Sequence, residues 1–215
     1  VQVILEKRAF PFFQQETFVR FMLQNDALSE CDIIITIGGD GTILHIARYS
    51  LGSGKPLFGI NLGRMGFLAT VEENELETKL ARLVKGDYTL DQRRLLSVSV
   101  QGKNTFQKYA LNDTAYSLSA GGPVLDGRIS GLVVTPICAH SMHSPPMVFS
   151  AERKLRIQVS SPTQEFAFLS CDGMQEEQIA RDDIVDVSLS AHYISLICFN
   201  EADQFEAIDK KLKGR

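Results

Sequence analysis

A β-branched run that leads directly into a glycine-rich turn constrains the fold of this 215-residue chain more than any other feature. Residues 33–37 are all β-branched, within a predicted strand over 31–37. Such a run is typical of a central strand of a parallel sheet, buried on both faces. Gly38-Gly39-Asp40-Gly41-Thr42 follows at once, and residues 43–51 then show helical spacing. This order predicts an α/β unit with the glycine turn at the carboxyl end of the strand.

The rest of the first third continues the alternation of strand and helix. Residues 1–5 and 56–61 are short apolar runs that predict strands. Apolar side chains at helical spacing predict helices over 14–25 and 72–84, the second of them ended by Gly86. This alternation indicates an α/β layer with right-handed connections.

Beyond Tyr88 the apolar residues recur at every second position, which is the period of a strand. The alternation predicts separate strands near 96–100, 155–159, 185–189 and 194–198, with polar turns between them. Strands of hairpin length predict an antiparallel sheet or sandwich. Residues 201–213 return to helical spacing, with lysines near the C-terminal end of the predicted helix.

Composition excludes several classes of protein. Hydrophobic residues are 44% and charged residues 22% of the chain, which are globular values rather than those of a disordered, collagenous or coiled-coil protein. The chain contains no apolar run of about 18 residues, the length that would predict a membrane span. Its net charge of −4 argues against nucleic acid as the main partner. The cysteines form no C-x-x-C pair, which favours reduced thiols in a cytoplasmic protein, with Cys138 and Cys198 buried.

The glycine-rich turn carries the chemistry of the sequence. Glycines allow backbone N–H groups to approach an anion, and Thr42 is placed to cap a helix whose N-terminus favours phosphate. Asp40 is unexpected there, because a carboxylate repels phosphate. It is tolerated if Mg²⁺ bridges the two groups, or if the carboxylate faces an incoming hydroxyl as base and positioner. A plain glycine turn with a capping Asp is the structural alternative.

The turn resembles the GGDGT signature shared by NAD kinases, diacylglycerol and sphingosine kinases and, more distantly, phosphofructokinases. Three further segments are similar to NAD kinases in particular. They are Asn61-Leu-Gly-Arg-Met-Gly-Phe-Leu-Ala-Thr70, Leu111-Asn112-Asp113, and the pair formed by residues 114–123 and 132–141. The motifs occur in the order of the family, so the chain resembles a bacterial-type NAD kinase.

This resemblance implies transfer of a phosphoryl group from ATP or polyphosphate to the 2′-hydroxyl of the adenosine ribose of NAD, giving NADP. It implies that Asp40 is catalytic and that Gly38, Gly39, Gly41 and Thr42 hold the donor phosphates. The implied NAD-binding residues are Asp40, Gly41, Gly66, Phe67, Asn112, Asp113, Thr114, Ala115, Tyr116 and Ser119. Mg²⁺ is expected on the donor phosphates, with no metal ligand from the protein.

The resemblance also implies an α/β donor-phosphate domain formed by residues 1–88 and 200–215, and a β-rich NAD-binding domain formed by 89–199. The final helix is expected to return to the first domain. A cytoplasmic homodimer or homotetramer is expected, without membrane or nucleic-acid partners. In the family a loop-bearing segment separates the Asn-Asp pair from the Thr-Ala-Tyr block. Here Asp113 directly precedes Thr114, so we expect the native chain to carry additional residues at that junction and before Val1.

Two alternative functions share the glycine signature. A lipid kinase would keep the GGDGT turn, but the Asn-Asp and Thr-Ala-Tyr segments do not support it. A dinucleotide sensor without turnover would keep the pocket, but it has little reason to place Asp40 beside phosphates. Two weaker signals favour structural interpretations, namely loop order for His140 and His143 and a hairpin turn for Cys171-Asp172-Gly173.

Overall fold

The computed structural model describes residues 1–62, 68–69, 71–111, 114–125, 129–140, 143–160 and 165–199, with only the backbone for 114–116. These residues divide into two compact units. The first contains Val1–Gln92 and the segment that begins at Ile194, and the second contains Arg93–Tyr193. The predicted helix over 201–213 lies outside the described residues. No helix in the described ranges is long and apolar enough to cross a membrane.

The first unit alternates strands and helices, as predicted. Its elements are β1 (Val3–Glu6), a 3₁₀ turn (Lys7–Phe12), β2 (Val19–Met22), α1 (Gln24–Glu30), β3 (Ile34–Ile37), α2 (Asp40–Tyr49), β4 (Leu57–Asn61), β5 (Val71–Glu72), a 3₁₀ turn (Glu73–Glu75) and α3 (Leu76–Lys85). α3 ends at Gly86, whose φ of 73° is the left-handed conformation predicted for a helix stop.

Strand β4 is the centre of the parallel sheet in this unit. It pairs with β3 along one edge, in the register Ile34↔Leu57 to Ile37↔Ile60. The opposite edge pairs with β5 through Ile60↔Val71 and, at Leu57, with Leu196 of a long strand that begins in the second unit. Parallel pairing of consecutive strands confirms the predicted α/β layer.

The prediction that β3 is buried on both faces is wrong. Ile34 and Thr36 are buried, whereas Ile35 is 48% and Ile37 61% exposed. β-branched residues favour a strand whether or not both of its faces are covered. The run therefore does not indicate whether the second face of β3 is buried.

The predicted helix over 14–25 is also wrong. The chain forms β2 there and begins α1 only at Gln24. β2 pairs in parallel with β1, with Phe21 opposite Leu5. The Phe21 ring also packs edge-on against Phe10, with ring centroids 5.1 Å apart. Pairing with β1 and packing against Phe10 stabilise the strand. They outweigh the helical spacing of the apolar residues, which is only a local pattern.

One core cluster of the first unit lies between the sheet and α3. Its buried members are Phe58, Ile60, Val71, Leu83, Ile197 and Phe199. The rings of Phe58 and Phe199 meet edge to face with centroids 5.8 Å apart. This packing fixes β4, whose carboxyl end leads into the site described below.

The second unit is mostly antiparallel, as predicted. Its elements are β6 (Thr89–Gln101), β7 (Phe106–Leu111), α4 (Thr114–Ser119), β8 (Gly131–Val134), β9 (Met147–Ser150), β10 (Leu155–Gln158), β11 (Phe166–Leu169), β12 (Glu177–Ala180) and β13 (Ile184–Cys198). β6 lies between β7 and β13, and β10 pairs with β13. Hairpin pairs are formed by β8 with β9 and by β11 with β12.

Strand β13 corrects one prediction, because the two expected strands over 185–189 and 194–198 form a single strand. Residues 190–193, which lie between them, include neither glycine nor proline, so nothing in the backbone interrupts the strand. The core of the unit is formed by Val98, Val100, Ala110, Cys171, Ile179 and Val185. All four cysteines are free thiols. Cys138 is exposed, contrary to prediction, in a loop where its φ is 52°, and Cys198 is only half-buried.

Candidate active site

The glycine-rich turn lies at the carboxyl ends of two neighbouring parallel strands. β3 ends at Ile37, and the Gly38 N–H donates to the carbonyl of Ile60 at the end of β4, with an N···O distance of 2.9 Å. α2 begins at Asp40, three residues earlier than the predicted start at 43. The turn therefore occupies the edge of the sheet where α/β proteins bind ligands.

The glycines of the turn have different surroundings. Gly38 has a φ of 151°, which side chains rarely adopt, and a β-carbon there would lie well inside van der Waals contact with Thr42 Oγ1. A β-carbon at Gly39 or Gly41 would have no neighbouring atom of the described residues within 4 Å. Gly38 is therefore required by packing, whereas Gly39 and Gly41 leave their backbone open to a ligand.

Thr42 does not cap the helix, contrary to the sequence prediction. The N-cap of α2 is Gly39, with no hydrogen bond from a capping side chain. Thr42 is the third helical residue, and its own N–H donates to the Gly39 carbonyl at 3.0 Å. Because Asp40 and Gly41 already adopt helical conformation, the threonine hydroxyl lies past the capping position and against Gly38.

Asp40 is held by the backbone of the segment that follows β4. Its Oδ1 accepts hydrogen bonds from the N–H groups of Leu68 and Ala69, at 2.9 and 3.0 Å. A carboxylate in the first turn of a helix is also favoured by the helix dipole. The sequence did not reveal these donors, because every non-proline residue carries the same N–H group.

Gly59 brings this segment close to the strand. A β-carbon at Gly59 would lie 2.5 Å from Ile43 Cδ1 and 3.0 Å from the Ala69 Cα. The missing side chain therefore lets α2 and Ala69 pack directly on β4. A glycine inside a predicted strand is a signal of close approach that the sequence analysis did not use.

The predicted NAD-binding residues are only partly described. Gly66, Phe67, Asn112 and Asp113 lie outside the described residues. The backbone of 114–116 opens α4, and Ser119 is the exposed last residue of that helix.

Helix α4 is fixed at its end and through its middle. Gly121 adopts a φ of 82°, and the Gly122 N–H donates to the Ser117 carbonyl at 2.7 Å, which is a glycine-terminated helix end. The hydroxyl groups of Ser117 and Thr135 are hydrogen-bonded at 2.6 Å. This contact joins residues 114–123 and 132–141, the two segments that are similar to NAD kinases.

The predicted hairpin turn at Cys171-Asp172-Gly173 is confirmed. Met174 donates its N–H to the Cys171 carbonyl at 3.2 Å, within the connection between β11 and β12. The turn also reaches β7, because Asp172 Oδ2 accepts a hydrogen bond from the Leu111 N–H at 3.0 Å.

The donor set of the described residues does not form a metal cage. Across the described ranges, no group of three or more His, Cys, Asp and Glu side chains is arranged to hold a metal ion. His140 and His143 are both exposed. Asp40 is the carboxylate that the glycine turn itself provides.

Comparison with known proteins assigns the family. The ATP-NAD kinase N-terminal domain matches residues 7–88, and the ATP-NAD kinase C-terminal domain matches 110–199. The NAD kinase of Thermoanaerobacter sp. (strain X514) is 32% identical, over 88% of this chain and 81% of that protein. The chain belongs to the NAD kinase family. The NAD kinase of Caldanaerobacter subterraneus subsp. tengcongensis is 30% identical over 89% of this chain and 82% of its own length.

Solved structures of NAD kinases share the fold. Yeast NADH kinase, crystallised with NADH, superposes with a TM-score of 0.88 over 99% of this chain and 78% of that chain, at 21% identity. An NAD kinase from Archaeoglobus fulgidus in complex with ATP gives a TM-score of 0.66 over 100% of this chain and 99% of that chain, at 22% identity. The predicted fold class is thereby confirmed.

Membership of the NAD kinase family decides between the functional alternatives. The chain is an enzyme, a phosphotransferase with NAD kinase function, rather than a lipid kinase or a sensor without turnover. The alignment with the Thermoanaerobacter protein has 232 positions, more than the 215 residues of this chain. That relative therefore carries internal residues that this chain lacks.

Proposed function

We propose that this NAD kinase transfers the terminal phosphoryl group of ATP to the 2′-hydroxyl of the adenosine ribose of NAD, with Asp40 as the catalytic residue. The observation that carries the proposal is the anchoring of the Asp40 carboxylate by the Leu68 and Ala69 amides, beside the open glycines of the turn. A carboxylate held in one orientation at the N-terminus of a helix suits a group that positions a hydroxyl beside phosphates.

The donor phosphates are proposed to bind at the turn and the first residues of α2. Gly39 and Gly41 support this assignment because a ligand meets no side chain at either residue. The N–H groups at the start of α2 and the helix dipole favour an anion there. Gly38 and Thr42 support the turn from within, because their mutual packing fixes the path of the backbone.

In the proposed reaction, the 2′-oxygen of NAD attacks the γ-phosphorus as the bond from that phosphorus to the ADP oxygen breaks. The hydroxyl proton passes to the Asp40 carboxylate, and NADP and ADP leave. General-base assistance of this kind contributes about 10²–10⁴-fold in rate. The two amide donors hold the carboxylate through this step without taking part in it.

The dinucleotide is proposed to bind mainly to the β-rich domain, residues 89–199, with the donor on the α/β domain of residues 1–88 and 200–215. The proposed NAD contacts are Asp40, Gly41, Gly66, Phe67, Asn112, Asp113, Thr114, Ala115, Tyr116 and Ser119. The fixed end of α4 and the Ser117–Thr135 hydrogen bond support the assignment of its residues, because a preorganised helix presents them without further ordering.

Mg²⁺ is proposed to arrive as part of the substrate, bound to the phosphates of ATP, and polyphosphate is the alternative donor. We also propose that the enzyme serves NADP biosynthesis in the cytoplasm as a homodimer or homotetramer.

A turnover assay tests the proposed reaction. The purified protein is incubated with Mg-ATP and NAD, and NADP is measured with an NADP-specific dehydrogenase. Asp40→Asn, purified in parallel, is the matched control for contaminating kinases. Vesicles containing diacylglycerol or sphingosine replace NAD in a second arm with radiolabelled ATP. NADP formation by the wild type alone supports the proposal, whereas lipid phosphorylation without NADP contradicts it.

A further inference from the structure

Helix α2 has an exposed face that begins at the glycine-rich turn. Gly41, His45 and Tyr49 are exposed and are spaced four residues apart along this helix. Residues at i and i+4 share one face of a helix, and helical side chains lean toward its N-terminus. This geometry directs His45 back toward Gly41, whose backbone lies about 6 Å nearer the start of the helix.

The ring of Tyr49 packs against the imidazole of His45. The two ring centroids are 5.0 Å apart, and the planes are inclined at 54°. Both side chains remain exposed, with Tyr49 at 54%. Packing against a second ring restricts the rotamers of an exposed side chain and reduces the entropy that it loses on meeting a ligand. The pair therefore presents a partly ordered imidazole to solvent.

The space between His45 and the turn is open. A β-carbon at Gly41 would lie more than 4 Å from every atom of the His45 side chain, so the imidazole does not close over the turn. An imidazole carries at least one N–H in either protonation state and can donate it to a phosphate oxygen. The open backbone of Gly41 is thus bordered, one helical turn further on, by a side-chain donor.

Asp40 gives the direction in which a donor would cross this space. Its carboxylate is turned toward the segment after β4, where the amides of Leu68 and Ala69 donate to it. Successive helical residues point about 100° apart, so Gly41 faces a different direction. In the proposed reaction the γ-phosphoryl group lies beside Asp40. The phosphates behind it reach the exposed face of α2 if they cross the helix at Gly41.

We propose that His45 is a donor-binding residue of this kinase, whose imidazole donates a hydrogen bond to the phosphates that follow the γ-phosphoryl group. The chemistry recognised is an anionic chain of at least three phosphates, which ATP and polyphosphate share. This inference rests on the proposed function, because it takes the glycine-rich turn as the donor site.

Substitutions in two similar pairs of rings isolate this contact. His45→Ala removes the imidazole, whereas His45→Gln keeps an N–H donor. His192→Ala is the matched control, because His192 is also exposed and packs against Tyr109 with ring centroids 5.1 Å apart, in the second unit. Calorimetry gives the Kd of Mg-ATP and of tripolyphosphate for each protein. Steady-state kinetics give the KM of ATP and the KM of NAD, and thermal unfolding reports stability.

We expect His45→Ala to raise the Kd of both Mg-ATP and tripolyphosphate by about tenfold, the scale of one hydrogen bond to a charged group. The KM of ATP should rise in parallel, with the KM of NAD and the unfolding temperature unchanged. His45→Gln should stay within about threefold of the wild type, because it can still donate to a phosphate oxygen. His192→Ala should bind both probes like the wild type.

Three results would overturn the proposal. His45→Ala could bind both probes as tightly as the wild type, which removes His45 from the donor site. It could weaken Mg-ATP but not tripolyphosphate, which transfers the contact from the phosphates to the adenosine. It could also raise the KM of NAD as much as the KM of ATP, which makes its effect structural.

Calorimetry also separates this inference from the proposed reaction. A wild-type protein that binds tripolyphosphate through His45 but forms no NADP would contradict the proposed function and leave the donor contact standing. A wild-type protein that forms NADP with a donor affinity independent of His45 would contradict this inference alone.

Discussion

The hydroxyl oxygen of Thr42 occupies the space that a side chain on Gly38 would need. A side chain on Gly39 or Gly41, in the same turn, would have no neighbour within 4 Å among the residues that the structure describes. The signature therefore contains one glycine that the fold requires and two whose open backbone is available to a ligand. Because the packing role and the proposed donor-binding role belong to different glycines, they can be measured separately.

Alanine substitutions of the three glycines should divide into two classes. Gly38→Ala should lower the free energy of unfolding by about 1–3 kcal/mol from backbone strain, with the overlap on Thr42 adding to this cost. Gly39→Ala and Gly41→Ala should unfold within about 1 kcal/mol of the wild type but raise the KM of ATP. Urea denaturation and steady-state kinetics measure the two effects. Equal stability of all three variants would contradict the assignment of Gly38 to packing.

Substitutions of Asp40 should separate its chemistry from its structural contacts. Asn retains an oxygen that can accept from the Leu68 and Ala69 amides, so Asp40→Asn should fold like the wild type. It lacks the proton acceptor, so kcat should fall by about 10²–10⁴-fold while the affinity for NAD changes far less. Asp40→Ala should lose both kcat and stability. A kcat for Asp40→Asn near that of the wild type would remove Asp40 from the reaction.

Gly59 should not tolerate even a methyl group. In Gly59→Ala the new β-carbon would lie 2.5 Å from Ile43 Cδ1, so we expect a loss of about 1–3 kcal/mol in the free energy of unfolding. Ile43→Val removes that Cδ1 atom, and the double variant should recover part of the loss. Recovery should be incomplete, because the Ala69 Cα at 3.0 Å remains. A double-mutant cycle in urea measures this coupling, and additive effects would show that α2 does not pack here.

The stability of the second unit should depend on Asp186 in acid. Asp186 pairs with Arg156 through two hydrogen bonds of 2.8 and 3.0 Å, and with Lys154 at 3.1 Å. The hydrogen bonds from Arg156 lower the pKa of Asp186 from its ordinary 3.8 to about 2, although burial of the carboxyl opposes this shift. Since the pKa is lowered in the folded state, the contribution is complete above about pH 4 and is lost as the pH falls through about 2.

Comparison with Asp186→Asn isolates this contribution from those of other carboxylates. The difference in urea midpoint between the wild type and Asp186→Asn should be constant from pH 7 to about pH 4 and should shrink toward pH 2. Asp182→Asn, at an exposed aspartate of the same unit, is the matched control for the loss of one carboxylate. A wild-type advantage over Asp186→Asn that grows in acid would have the wrong sign and would contradict the ion pair.

Local patterns in the sequence predicted much of the fold and the position of the glycine turn at the centre of the candidate site. The glycine turn after β3, the stop of α3 at Gly86 and the hairpin turn at Asp172 were all found where the sequence placed them. In each case the determining residue acts on its own backbone, through a conformation that few other residue types adopt. The prediction of a helix over 14–25 was wrong because the same apolar residues are compatible with strand β2, which forms by pairing with β1.

The sequence by itself identified the residues that we propose carry the chemistry, because a carboxylate among glycines after a strand is a local pattern that can be recognised without the fold. Only the tertiary structure decided how these residues are held. The amides of Leu68 and Ala69 orient Asp40, and the amide of Leu111 donates to Asp172. The side chains of these donors give no indication of either contact. A backbone N–H is the same group in every non-proline residue, so its partner depends on where the fold brings it, and distant segments become neighbours only when the chain packs.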